Sequence, residues 1–151
     1  MKHTIVLINA LFLLIGIKGF TQEIVIPKDT IYLEYKPNDG SVPHYRGKKF
    51  KNKHGINFNL YEGNGLIYPK KGDSDTLAIK YLKDYQFTEV KDIDSLGRLW
   101  YRKNLPVLKR KYGKIIAPHD KNGKFVTYLI EELNDCFIKY RVYWRNEHVI
   151  D

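Results

Sequence analysis

The chain has little cysteine and none of the short motifs that mark a common active site. Cys136 is the single cysteine among 151 residues, so an internal disulfide is excluded and the fold must be stabilised by its core. There is no Gly-x-Ser-x-Gly elbow, no Cys-x-x-Cys, no His-Glu-x-x-His and no phosphate-binding loop. A site assembled from distant residues would leave no such trace, so enzyme activity stays open but without positive support. We predict no cofactor and no metal site.

Long apolar runs are also missing, apart from one at the N-terminus. Met1-Lys2-His3 is basic, residues 5–17 are almost wholly apolar, and residues 18–22 break the run, which is the three-part build of a secretory signal peptide. A membrane-spanning helix needs roughly 20 apolar residues, more than this run supplies. We therefore expect a signal peptide over residues 1–21 and a single globular domain over residues 22–151. Because no cysteine lies at the cut, we expect a released periplasmic or secreted protein and not a lipoprotein.

The region around the expected cleavage site resembles that of a known group of signal peptides. The ending Gly19-Phe20-Thr21-Gln22 is similar to signal peptides of Bacteroidota, where the cut often falls just before a glutamine. The tyrosine- and lysine-rich body, with the segment KDTIYL at residues 28–33, resembles small exported proteins of that phylum that have no assigned function. The resemblance covers the whole chain loosely, and it implies a compartment but no chemistry.

Acidic residues are too few to balance the basic ones. Lysine and arginine number 26 against 17 aspartate and glutamate residues, a net charge of +9; about +7 is left once Lys2 and Lys18 depart with the signal peptide. Such an excess favours anionic partners, which outside the cell would be an acidic glycan, lipopolysaccharide, a membrane surface or an acidic protein. Nucleic acid is disfavoured because that compartment holds little of it. The alternative is that the charge only keeps the domain soluble. No transmembrane segment is expected in the mature chain, and nothing in the sequence indicates an oligomeric state.

The order of elements predicts an α+β fold: an antiparallel sheet with a C-terminal β-hairpin and one long, kinked or split helix packed on one face. Short β-branched and aromatic runs at residues 24–26, 30–35, 56–60 and 66–68 are strand-like. Residues 36–55, rich in turn-forming and basic residues, predict a long loop. Between residues 76 and 85 the pattern fits a short helix capped by Ser74 or Asp75, which we favour, or equally a strand.

A long helix is predicted between Thr88 and Tyr112. Apolar residues recur there on one stripe at helical spacing, namely Val90, Ile93, Leu96, Trp100, Val107 and Leu108. Thr88 can cap the start, and Gly113 can take the left-handed conformation that ends a helix. Pro106 lacks an N–H and crowds the preceding turn, so the helix should kink or split near Asn104.

The C-terminal segment predicts a β-hairpin, with strands over residues 125–133 and 136–145 joined by Asn134-Asp135. The face of the second strand that we expect to be buried comprises Cys136, Ile138, Tyr140, Val142 and Trp144. The opposite, largely wet face comprises Phe137, Lys139, Arg141, Tyr143 and Arg145. The candidates for an exposed aromatic patch, which could stack on sugar rings, are Tyr45, Tyr101, Phe137 and Tyr143.

The densest cluster of positive charge lies in the predicted loop, from His44 to His54. Such a loop could seat a phosphate- or sulfate-bearing partner through charge-assisted hydrogen bonds. The predicted anion-binding residues are Arg46, Lys48, Lys49, Lys51 and Lys53. The alternative is a solvated loop without a partner.

Two classes of function follow. We favour a non-catalytic binding or interaction module for an anionic partner in the cell envelope or outside the cell. The alternative is a hydrolase whose site is assembled from dispersed residues around His119 and Asp120, since adjacent histidine and aspartate occur in metal-dependent phosphohydrolases. That pair lies in a stretch of turn-forming residues, 118–123, and lacks further metal ligands at defined spacing.

Overall fold

The computed structural model describes residues 23–37, 47–60, 64–113 and 120–145. The strands are β1 (Asp29–Tyr35), β2 (Lys48–Asn52), β3 (Gly55–Asn59), β4 (Gly65–Pro69), β5 (Ser74–Ala78), β6 (Phe125–Glu132) and β7 (Cys136–Trp144). The helices are α1 (Ile93–Tyr112), α2 (Lys121–Lys124) and two 3₁₀-helices, Ile79–Asp84 and Val90–Asp92. The predicted signal peptide lies outside the described residues, as do Tyr45, Arg46 and His119.

The seven strands form one sheet in the order β1-β6-β7-β4-β3-β2, with β5 pairing along part of β7. The predicted α+β class, the C-terminal hairpin and the long helix are confirmed. The sheet is mixed, however, because β1 runs parallel to β6, with Ile31 opposite Thr127. A parallel pair needs a long crossover connection, and here the rest of the domain, including α1, lies between the two strands in the chain. Strand patterns in the sequence do not show which strands pair.

The hairpin of β6 and β7 has the predicted turn. The Leu133 amide donates to the Cys136 carbonyl at 2.8 Å and closes the two-residue connection. Tyr140, Val142 and Trp144 are buried on the predicted face. Cys136 is on the same face but only half-buried, since it stands at the turn end of the strand.

Near this turn the sheet is covered on both faces. Phe137, predicted to be wet, is fully buried, and its ring packs edge-on against Tyr85 with centroids 5.5 Å apart. Tyr85 also packs on Tyr32, which stacks on Tyr128 at 5.6 Å. Tyr85, just after the first 3₁₀-helix, thus belongs to a second, aromatic layer that covers this face of the sheet. The prediction that Phe137 belongs to an exposed aromatic patch is wrong.

One hydrophobic core joins the helix to the sheet. Its buried members are Ile31, Leu33, Tyr35, Phe58, Leu60, Leu66, Ile93, Trp100, Leu108, Phe125, Leu129, Tyr140, Val142 and Trp144. The three from α1 belong to the predicted stripe, so the helix packs on one face of the sheet as expected. Trp100 also donates its indole N–H to the Pro27 carbonyl at 3.1 Å, which ties the chain before β1 to the helix.

α1 starts later than predicted and runs continuously through Pro106. Thr88 does not cap it, because the helix begins at Ile93 and its N-cap residue is Asp92. The Thr88 amide instead donates to the Tyr32 carbonyl at 2.8 Å. The predicted end is confirmed, since Gly113 has a φ of 66°. Pro106 is on the exposed side of the helix, where water can bond the carbonyl left without its N–H partner. The helix therefore does not split.

Other local predictions have mixed outcomes. The segment that fitted both helix and strand contains both, since β5 pairs with β7 and a 3₁₀-helix follows it. Neither Ser74 nor Asp75 caps that helix, which begins after Ala78 without a side-chain cap. Residues 24–26 have no regular structure, so the strand predicted there is wrong. The strands predicted at residues 56–60 and 66–68 are confirmed as β3 and β4, which pair as an antiparallel hairpin.

Candidate functional site

The described part of the basic stretch, residues 47–54, is an edge strand and a tight turn rather than a loop. Lys48, Lys49 and Lys51 lie on β2, the last strand in the sheet order, and Lys53 lies in the turn after it. Every residue of β2 is exposed, so no apolar alternation in the sequence marks it as a strand. Arg46, the fifth predicted anion-binding residue, is outside the described residues. The loop prediction is therefore wrong for residues 48–52.

A side chain closes the turn between β2 and β3. Asn52 Oδ1 accepts hydrogen bonds from the amides of His54 at 2.8 Å and Gly55 at 3.1 Å, which is the local bonding that suits asparagine to turns. On the other side, the His54 carbonyl accepts from the Lys70 amide at 2.9 Å. The basic strand is thereby held in a fixed position along β3.

Lys49 differs from the neighbouring lysines because it is already paired. Its Nζ lies 2.6 Å from Glu131 Oε2 and 3.4 Å from Tyr140 Oη, and it sits over the rings of Phe58 and Tyr140. Tyr140 donates its hydroxyl to the same carboxylate oxygen at 2.8 Å. Burial raises the pKa of Tyr140, and the bond to Glu131 raises it further, so the hydroxyl stays a donor. Lys49 therefore ties β2 to β6 and β7 and is not a free cation.

The other three lysines are exposed to solvent. Among the described residues, no ion pair involves Lys48, Lys51 or Lys53. At roughly 3.3 Å per strand residue, Lys48 and Lys51 are about 10 Å apart along the strand and point to opposite faces. The structure thus reduces the predicted anion-binding set, within the described residues, to three lysines along one exposed edge.

A second basic feature is a groove of about 470 Å³ between α1 and α2. Ile93, Gly97 and Phe125 are buried at its floor, and Tyr101 is half-buried beside them. Its charged lining residues are Asp94, Arg98, Arg102, Lys121 and Lys124. Four cations thus stand around one carboxylate, and over the described ranges none of the four is in an ion pair.

The α2 wall of this groove is fixed to the end of β7. Asn122 Oδ1 accepts from the Trp144 amide at 2.8 Å, and Asn122 Nδ2 donates to the Trp144 carbonyl at 2.9 Å. The Lys121 ammonium donates to Asn64 Oδ1 at 2.8 Å and lies 4.6 Å from the centre of the Trp144 ring. The position of Lys121 is therefore set by packing before any ligand arrives.

Sequence reasoning missed these groove residues. Arg98 and Arg102 are one helical turn apart on α1, a spacing that is visible in the sequence and predicts a shared basic face. Lys121 and Lys124 join them only through tertiary packing, because the chain crosses from α1 to α2 through residues that carry no motif. No local signal could have connected the two pairs.

Of the histidine and aspartate pair, the structure describes only Asp120. Asp120 caps α2, since its Oδ1 accepts from the Asn122 amide at 2.8 Å. His119 lies outside the described residues. Across the residues that are described, no group of three or more histidine, cysteine, aspartate or glutamate side chains is arranged to hold a metal ion. The described geometry therefore offers no support for the alternative hydrolase.

The aromatic candidates that are described and not fully buried, Tyr101 and Tyr143, lie on different elements of the fold. Tyr143 is 43% exposed on β7, while Tyr101 lines the basic groove on α1.

A further groove of about 780 Å³ beside β1 includes Asp29, Asp84 and Lys103 in its lining. Lys103 is paired with Asp29 at 2.9 Å, so this groove shows no preference for ligands of one charge.

Neither the helices nor a comparison with known proteins indicates what the chain does. None of the helices within the described ranges combines the length and the apolar character needed to cross a membrane. No family model, curated protein or solved structure matches the chain. Function must therefore be inferred from the geometry of the described residues.

Proposed function

We propose that this protein is a non-catalytic binding module for an anionic partner, which it contacts through the exposed lysines of β2 and its turn. The observation that carries the proposal is that Lys48, Lys51 and Lys53 stand on one exposed edge with no ion pair among the described residues. Lys49 supports the contact indirectly, because its bond to Glu131 holds the strand in place.

The spacing and rigidity of this edge suit a partner with several negative groups. Charge-assisted hydrogen bonds from lysine to sulfate, phosphate or carboxylate are stronger than neutral ones. A strand fixed along β3 loses less conformational freedom on binding than a mobile loop would. An acidic glycan or the phosphorylated surface of lipopolysaccharide presents such groups in series.

The test is a triple substitution, Lys48→Gln, Lys51→Gln and Lys53→Gln, with Lys49 kept because it is part of the fold. Binding of a sulfated oligosaccharide at low salt should weaken about tenfold or more, since three surface contacts of up to about 1 kcal/mol each are lost. Binding by the parent protein should also weaken with added salt, because exposed charges are screened beyond roughly 10 Å at 0.1 M.

A matched control removes the same charge elsewhere. Lys109→Gln, Arg110→Gln and Lys111→Gln change three cations at the C-terminal end of α1, where cations are favoured by the helix dipole. This variant should bind within about twofold of the parent. Equal losses in the two variants would show that net charge alone attracts the oligosaccharide, and the specific role of β2 would be refuted.

Export is part of the same proposal, with cleavage at or next to Thr21-Gln22 and a periplasmic or secreted product. The support is the basic start, the short apolar run and the polar exit of residues 1–22. Mass spectrometry of intact protein from the periplasm or the medium should give the mass of residues 22–151. Full-length protein recovered from the membrane fraction would contradict cleavage.

A further inference from the structure

We propose that the groove between α1 and α2 binds one amphipathic anion, an organic molecule with an apolar body and a carboxylate or phosphate head. The apolar body lies on Ile93, Gly97 and Phe125, and the head is held by Arg98, Arg102 and Lys124. The groove shares no lining residue with β2, so this binding goes beyond the proposed function and does not depend on it.

The size and floor of the groove select for an apolar body. Its volume of about 470 Å³ lies within the range of small-molecule sites, which are mostly apolar with a few placed polar groups. Gly97 is buried at the floor, and among the described residues a Cβ added there would meet only the Lys124 side chain, at 3.6–3.7 Å. The atoms over this glycine therefore belong to a flexible side chain, and burial of a hydrocarbon beside it would be favourable by roughly 25 cal/mol per Å² of apolar surface.

The charges around the groove select for an anionic head. Arg98 donates one N–H to the Ser95 hydroxyl at 2.9 Å, which leaves most of its five donors for a ligand. Asp94 lines the same groove, yet it forms no ion pair with any described cation. Four cations gathered around a single carboxylate repel each other, and a bound anion would relieve that repulsion.

The lysines of α2 divide between two roles. Lys121 is held by Asn64 and by the Trp144 ring, so it adds to the positive field from a fixed position. Lys124 lies over Gly97, and no ion pair within the described ranges restrains it. Lys124 can therefore contact a head group directly, whereas Lys121 acts at longer range.

Decanoate and decyl phosphate are the probes, titrated below their micellar concentrations and followed by calorimetry. At least one should bind with one-to-one stoichiometry and raise the thermal midpoint, since a ligand that binds only the folded state stabilises it. The tighter of the two identifies the preferred head. Octyl glucoside, which has a neutral head, and inorganic phosphate, which has no tail, should each bind at least tenfold more weakly. Equal binding of either control would overturn the proposal.

Two variants locate the site. Gly97→Leu places a side chain in the groove, and it should weaken binding at least tenfold while the thermal midpoint is unchanged or higher, because leucine favours helix more than glycine does. Arg98→Gln with Arg102→Gln and Lys124→Gln should weaken the same probes at least tenfold, whereas the substitutions at Lys109, Arg110 and Lys111 should not. If both groove variants fold and bind the probes as the parent does, the groove is not the site.

Discussion

Replacing Trp144 by alanine is expected to lower the free energy of unfolding by about 3–5 kcal/mol. The Trp144 side chain is 5% exposed and packs in the main core. Its indole N–H donates at 2.9 Å to the hydroxyl of Thr127, a buried residue that would be left without this donor. The ring also supports Lys121, so the variant loosens the α2 wall of the groove. Equilibrium denaturation in urea measures the loss.

The neighbouring tyrosine provides a matched control. Tyr143 is 43% exposed and points to the opposite face of β7. Tyr143→Ala should therefore cost less than about 1 kcal/mol, as is usual for surface positions. If Trp144→Ala leaves the urea midpoint unchanged, or if both variants cost the same, the register of β7 described above is wrong.

Replacing Gly55 by alanine is expected to cost about 3–5 kcal/mol, the sum of backbone strain and a steric clash. Gly55 begins β3 with a φ of 147°, a conformation that residues with a side chain rarely adopt. A Cβ there would overlap the Tyr68 carbonyl oxygen on β4 and lie 3.0 Å from the Lys70 amide nitrogen. Both are backbone atoms in a paired strand or its turn, so they cannot move aside cheaply. The decrease in the thermal unfolding midpoint relative to the parent measures the effect.

Gly97→Ala separates the strain and steric clash expected at Gly55 from the general effect of replacing a glycine. Gly97 lies in the interior of α1, and a Cβ added there would make ordinary van der Waals contacts with Lys124. Alanine there should stabilise the protein by about 0.5–1 kcal/mol, because glycine is a poor helix former. A Gly55→Ala variant as stable as the parent would show that the β2–β3 turn does not have the described geometry.

The parts of the fold that could be predicted are those in which burial imposes a period on the sequence. α1 carries Ile93, Trp100 and Leu108 at helical spacing because only one side of it meets the sheet. The hairpin alternates for the same reason. Phe137 was misassigned because strand alternation assumes one wet face, whereas Tyr85 and its segment cover that face near the turn.

Exposure and distance along the chain explain the rest. β2 has no buried residue, so its sequence carries no periodic signal. Its run of lysines is typical of a loop, which is why the sequence predicts one there. The parallel pairing of β1 with β6 joins segments almost 100 residues apart, such as Ile31 and Thr127, and no local pattern encodes it. The candidate site divides in the same way. The basic residues of β2 were found from their density, but the partner of Lys49 and the groove between α1 and α2 depend on tertiary packing.

Amide chemical shifts recorded while a sulfated oligosaccharide is added at low ionic strength test the contact between β2 and an anionic partner most directly. The largest changes should fall on residues 48–54 and their neighbours on β3, and they should disappear as salt is added. The cations at the C-terminal end of α1, Lys109, Arg110 and Lys111, should change little. Largest changes at that end of α1, or no changes anywhere, would contradict binding through the basic edge strand.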